Sequence, residues 1–211
     1  MKNHILYFAN PMCSWCWGFA PVIKSVEKAF SQYLPLYVIL GGLGRGKQNA
    51  LDANGKRTIR QHWEHVNEQT NQPFNFEFFE RDGFVYNTEL ACRAVVTARR
   101  LKPETALDFL IHMHRQFYQE LKNTTEPETL FALAEDFGFN KTEFETEFNS
   151  DQTATEIASD FKATKQLGVS GFPSLYVSNT KDGYTVITQG YQTREKIESA
   201  LTSWQKNQSV S

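Results

Sequence analysis

Ile5-Leu6-Tyr7-Phe8-Ala9-Asn10-Pro11-Met12-Cys13-Ser14-Trp15-Cys16-Trp17-Gly18-Phe19 carries two structural signals and one chemical one. The run from His4 to Ala9 is short, apolar and rich in strand formers. Asn10-Pro11 ends it, so it reads as a buried strand. From Ser14 to about Gln32, apolar residues recur at helical spacing (Trp15, Phe19, Val22, Ile23, Val26 and Phe30), and Pro21 is predicted to kink that helix. Cys13 and Cys16 therefore fall where a strand hands over to a helix. Unpaired N–H groups and the macrodipole at a helix start favour an anion, and the thiolate is the reactive form of cysteine. Cys13 is thus the candidate nucleophile. Cys16, about one turn along, is placed to attack a mixed disulfide on Cys13 and expel the substrate thiol.

Working outward, Pro35 leads into Leu36-Tyr37-Val38-Ile39-Leu40, a second buried strand cut off by Gly41-Gly42. A parallel β-α-β unit is the default for this order. The middle of the chain reads as helices: Thr58 to about Thr70, Thr88 to Leu101 with Asn87 or Thr88 as cap, and Pro103 to about Leu121. Three more follow, from Pro127 to near Gly138, a short one from Thr142, and one from about Gln152 to Gly168. Pro73 to Tyr86 is an irregular, aromatic-rich stretch. Ser174–Ser178 and Tyr184–Gln189 read as strands joined by a Lys181-Asp182-Gly183 turn, and Thr193 caps a last helix to about Trp204. The domain reading is residues 1–56 with 169–211 as one discontinuous unit, and 57–168 as an inserted helical subdomain.

With 24 acidic and 22 basic residues in 211, the formal net charge is −2 and no basic run stands out. Nucleic acid is not an expected partner. No stretch approaches the roughly 20 apolar residues of a membrane span, and the N-terminal apolar run is too short for a signal-peptide core. The expectation is a cytoplasmic protein with no membrane partner. Three cysteines do not make a disulfide framework, and two alone are poor zinc ligands, so no metal is expected.

The strand–CxxC–helix opening, Pro21 five residues after Cys16, and Phe172-Pro173 before a late strand resemble the thioredoxin fold. The helical block between the halves resembles its DsbA-like variation. The string Asn10 to Phe19, Gly41-Gly42-Leu43, and Asn87 to Ala94 is similar to the leaderless, FrnE-like branch of predicted disulfide isomerases. The resemblance implies an α/β thioredoxin fold with a large helical insertion. It also implies that Pro173 is the cis-proline lying against the CxxC, with the Phe172 backbone pairing to an extended substrate and Ser14 and Trp15 contacting it. One departure stands out. Relatives carry a buried acid six residues before the first cysteine, and here that residue is Tyr7. With no acid there and no histidine in Ser14-Trp15, the implied redox potential lies between those of thioredoxin and DsbA.

Other motifs carry less. Gly41 to Lys47 fits the glycine and lysine spacing of a phosphate loop, but Gln48 replaces the magnesium-binding hydroxyl and Asn54-Gly55 is predicted to break any helix there. His62 and His65, and His112 and His114, read as polar-face residues, and Cys92 as a core thiol. Phe74, Phe76, Phe78, Phe79, Phe84 and Tyr86 either fill the core or line an apolar groove beside Cys13. The sequence reads best as a thiol–disulfide oxidoreductase acting on protein or low-molecular-weight thiols, without a bound cofactor but with glutathione as a candidate co-substrate. Two rivals stand beside it. One is a kappa-class glutathione transferase or 2-hydroxychromene-2-carboxylate isomerase, in which a serine replaces Cys13. The other is a chaperone or binding module switched by the dithiol.

Overall fold

In the computed structural model, which describes residues 3–44, 49–179 and 183–208, strand β1 (Ile5–Ala9) is buried at every position. A strand achieves this by lying mid-sheet with both faces covered. Strands β2 (Leu36–Leu40), β3 (Ser174–Asn179) and β4 (Gly183–Gln189) complete a sheet of order β2-β1-β3-β4. β1 runs parallel to β2 and antiparallel to β3, and β4 is antiparallel to β3. The crossover between the parallel strands is α1 (Ser14–Phe30). Among the described residues six α-helices separate β2 from β3: α2 (Ala53–Thr70), α3 (Glu89–Leu101), α4 (Ala106–Tyr118), α5 (Pro127–Phe137), α6 (Lys141–Phe148) and α7 (Asp151–Gln166). α8 (Arg194–Gln208) follows β4. This is the α/β thioredoxin fold with a large, DsbA-like helical insertion. Among the described residues no helix is long and apolar enough to cross a membrane.

The alternation of β1 divides the core. Ile5, Tyr7 and Ala9 join the main cluster with Cys16, Phe19, Ile23 and Val26 of α1, while Leu6 and Phe8 meet Tyr176 on the other face. Gly18 lets α1 approach α2, since a Cβ there would lie 2.8 Å from Val66 Cγ1. The aromatic-rich stretch packs around Trp63, whose ring centroid lies 4.8 Å from that of Phe79 and 4.9 Å from those of Phe78 and Tyr118. Phe78, Phe79 and Phe84 are buried, and Arg60 covers the faces of Phe76 and Phe79. Core filling accounts for this stretch better than an open groove does.

Several local expectations are corrected. α2 begins at Ala53 rather than Thr58 and contains Gly55, because the Asp52 side chain caps it by accepting from the Gly55 N–H (2.7 Å). Asn54-Gly55 therefore sits in a first turn instead of breaking the segment. Pro103–Thr105 form a 3-10 turn, and the helix proper runs only from Ala106 to Tyr118. α1 is continuous through the exposed Pro21. Residues 45–48 of the phosphate-loop match, and Lys181-Asp182 of the expected turn, lie outside the described residues.

The outer edge of β2 is closed by side chains. The Leu40 N–H donates to Asp160 Oδ2 (2.9 Å), Arg99 Nη1 donates to the Val38 carbonyl (2.6 Å), and Thr164 Oγ1 donates to the Leu40 carbonyl (3.2 Å). Arg99 grips Asp160 through both carboxylate oxygens, at 3.0 and 3.1 Å. Side chains of α3 and α7 thus take the place of a neighbouring strand.

Candidate active site

Cys13 is the N-cap of α1, with extended backbone (φ −93°, ψ 114°) and 9% exposure. Its N–H donates to the Asn10 carbonyl (3.1 Å), and its own carbonyl accepts from the Trp17 N–H (3.1 Å). Cys16, one turn further, is fully buried, and the two sulfurs are thiols rather than a disulfide. The Cys13 thiol is held below its ordinary range chiefly by a hydrogen bond from the Cys16 thiol. The backbone N–H groups of Cys16 and Trp15 help, against the opposing effect of burial. Burial first, then the hydrogen bond to Cys13 and the charge there, push Cys16 well above its ordinary value. The pair is polarised: Cys13 is the readier of the two to ionise, and Cys16 holds its proton the more strongly.

The junction is rigid because Asn10 is. Its Oδ1 accepts from the Met12 N–H (2.8 Å), and its Nδ2 donates to the Gly41 carbonyl and to Thr88 Oγ1, both at 2.7 Å. Thr88 Oγ1 in turn accepts from the Leu43 N–H (2.9 Å). The loop after β1, the loop after β2 and the start of α3 are tied at one buried amide. Cys92 Sγ lies beside it, 3.4 Å from Asn10 Nδ2, as a core thiol. His114 Nε2 is 3.0 Å from the Asn10 carbonyl; since that oxygen only accepts, Nε2 carries the proton. Burial lowers the His114 pKa to about 4, so the ring is neutral. His114 is thus a core residue and not the polar-face one expected.

The Phe172–Pro173 peptide is cis, as the resemblance implies. Its loop meets the dithiol: the Cys13 thiol donates to the Phe172 carbonyl at 3.5 Å. The Phe172 ring lies so close to Gly41 that a Cβ there would be 1.9 Å from Cζ. Trp15 stays partly exposed, with its ring 5.4 Å from His65 and 5.6 Å from Tyr191, whereas Ser14 is buried. Beyond Phe172 opens a cleft of about 360 Å³, lined by Gly41, Leu43, Phe161, Lys165, Val169 and Phe172 among others. Cys13, Trp15 and Phe172 are therefore brought to one surface, while Cys16 and Pro173 are buried.

Two buried phenols, Tyr7 and Tyr118, and the half-buried Tyr86 lie around the sulfurs. The Tyr86 hydroxyl donates to the Met12 carbonyl. Burial raises the pKa of Tyr7, Tyr86 and Tyr118, and the cysteine charges raise each further. Sequence reasoning passed over Asn10 and His114 as parts of the site, and reached Gly41 and Tyr86 only through the family resemblance and the aromatic stretch. Asn10 left a trace as a polar residue directly after an apolar strand.

Comparison with known proteins follows the same lines. The curated relatives include proteins named ClpXP adapter protein SpxH. That of Halalkalibacterium halodurans is 25% identical over 183 residues, covering 83% of this chain, and that of Bacillus subtilis is 24% identical over 179 residues, covering 84%. The chain spans 58% of the length of these two relatives. Among solved structures, a Nitrosomonas europaea protein provisionally named a protein disulfide isomerase superposes with TM-score 0.92 at 35% identity. The match covers 98% of this chain and 99% of that one. The cytosolic disulfide reductase DsbM of Pseudomonas aeruginosa, also solved with glutathione, shares the fold at TM-score 0.78 and 19% identity, covering 96% and 98%. The family description Thioredoxin_5, a thioredoxin family, matches residues 6–199. The chain belongs to this thioredoxin family.

Proposed function

We propose that the protein is a thiol–disulfide oxidoreductase in which Cys13 is the nucleophile and Cys16 the resolving thiol. The observation that carries this reading is the polarised pair itself, a thiol with a lowered pKa at a helix start and a buried, protonated one a turn below. The Cys13 thiolate attacks a substrate disulfide, a bond forms between Cys13 and one substrate sulfur, and the other sulfur leaves as a thiolate. Cys16 then attacks the Cys13 sulfur, closing the Cys13–Cys16 disulfide. The second substrate sulfur departs with the bond's electron pair and takes up the proton that Cys16 gives up. The reverse sequence oxidises a substrate dithiol.

Electrons pass only between sulfurs, so the reading requires no bound cofactor. The substrates are protein disulfides or low-molecular-weight thiols, with glutathione as co-substrate, and the site of action is the cytoplasm. Trp15 and the Phe172-Pro173 loop form the contact surface, with Ser14 behind it. Wild-type protein is expected to accelerate insulin reduction by dithiothreitol, and Cys13→Ser to abolish the effect; a fully active Cys13→Ser variant would exclude the assignment. The adapter name of the curated relatives favours a second reading, protein docking without turnover. In that case partner binding would survive Cys13→Ser and Cys16→Ser together, while insulin reduction would be absent from the wild type.

A further inference from the structure

Tyr7 is 1% exposed on the central strand, and its hydroxyl makes no fully formed hydrogen bond. An orphan buried hydroxyl carries an uncompensated cost of desolvation and calls for an explanation. The alternation of β1 turns Tyr7 toward α1, where its ring centroid lies 6.0 Å from that of Phe19. There the Cys16 sulfur is close enough for the two groups to act on one another. The Tyr86 hydroxyl is committed to the Met12 carbonyl, and the Tyr118 hydroxyl, which also lacks a fully formed hydrogen bond, faces Tyr86, whereas the Tyr7 hydroxyl faces Cys16.

We infer that the Tyr7 hydroxyl is the hydrogen-bond donor that stabilises the Cys16 thiolate as it attacks, or leaves, the Cys13 sulfur. The inference rests on the oxidoreductase reading and adds a catalytic residue to it. Cys16 is sealed from water, so its charged form has few other donors; the Asn10 backbone supplies one. Tyr7 supplies a second, held idle while Cys16 is a neutral thiol and drawn in when charge develops there. It does not take the Cys16 proton, because burial and the neighbouring sulfur charges keep the phenol itself from ionising. That proton ends on the departing substrate thiolate, so the donor lowers the barrier without altering the balance of the exchange.

The test is stopped-flow reaction of the reduced protein with dithiobis-nitrobenzoate. Attack by Cys13 releases one thionitrobenzoate, and attack by Cys16 on the mixed disulfide releases the second. A hydrogen bond to a charged group implies that Tyr7→Phe slows the second release about tenfold relative to the first. Its pH profile should also move to higher pH. Incorporating 3-fluorotyrosine at position 7, which keeps the ring and strengthens the donor, should speed the second release. It also guards against a phenylalanine variant that folds poorly. A second release whose rate and pH profile are unchanged in both variants overturns the role of Tyr7 and leaves the oxidoreductase intact. Absence of the first release in the wild type overturns both.

Discussion

Adding one methyl group at Gly41 tests how the cis-proline loop is held against the dithiol. A Cβ there would lie 1.9 Å from Phe172 Cζ, 2.5 Å from Cε1 and 3.0 Å from Cε2. Non-bonded carbons settle at about 3.5–4.0 Å, so the ring must withdraw by about 1.6 Å or more. Gly41 is not among the positive-φ glycines, so alanine fits its backbone and the whole penalty falls on Phe172. Overpacking of this kind costs about 1–3 kcal/mol. For a domain of this size it lowers Tm by roughly 2–12 °C. Because the Phe172 carbonyl receives the Cys13 thiol, withdrawal of the ring also moves the loop off the nucleophile, and insulin reduction should fall with Tm. The double variant Gly41→Ala/Phe172→Ala removes the clash. Its loss of stability should therefore be smaller than the sum of the two single losses. A Gly41→Ala protein that melts within about 1 °C of wild type at full activity would refute the steric argument, as would strict additivity in the cycle.

Two further outcomes concern the frame of the site. His114 is neutral when folded, with a pKa lowered to about 4 from an ordinary 6.5. The unfolded chain therefore binds the extra proton between those values. Stability should be whole above pH 6.5 and fall by about 3 kcal/mol as pH drops toward 4. Urea midpoints across that range should show this slope in the wild type and a flatter one in His114→Gln; equal slopes would contradict it. Asp160→Ala leaves the buried Leu40 N–H without its acceptor and Arg99 with Glu156 as its remaining carboxylate partner, at a cost of about 1–3 kcal/mol. Amide exchange at Leu40 should accelerate well before the centre of the sheet does, and uniform acceleration would count against a local clamp.

Sequence patterning captured what is local. The β1 run, the α1 stripe and the CxxC on their junction follow from periods of 2 and 3.6 and from the chemistry of a helix start, and Phe172-Pro173 could be placed through resemblance. What went unseen depends on contacts between distant segments. Asn10 reads as a strand terminator until its amide is found bonded to Gly41, 31 positions on, and to Thr88, 78 positions on. His114 looks polar on a helix until α4 turns it toward the Asn10 carbonyl. The start of α2 was misjudged because the glycine at 55 was weighed by propensity alone, while the cap at Asp52 outweighs it. Tyr7 was noted as an oddity of position; only its burial beside Cys16 gives that oddity a chemical meaning.

The closed rim of β2 bears on any attempt to pare the protein down. The CxxC, the cis-proline and all four strands lie outside residues 57–168, which makes that block look dispensable for the chemistry. Yet Arg99, Asp160 and Thr164 are what keep the outer backbone of Val38 and Leu40 from being available. A minimal version without them would present a bare parallel edge, ready to take up a strand from a second copy. Trimming the helices would open that edge to self-association, and any compact redesign has to rebuild the rim before it rebuilds anything near the sulfurs.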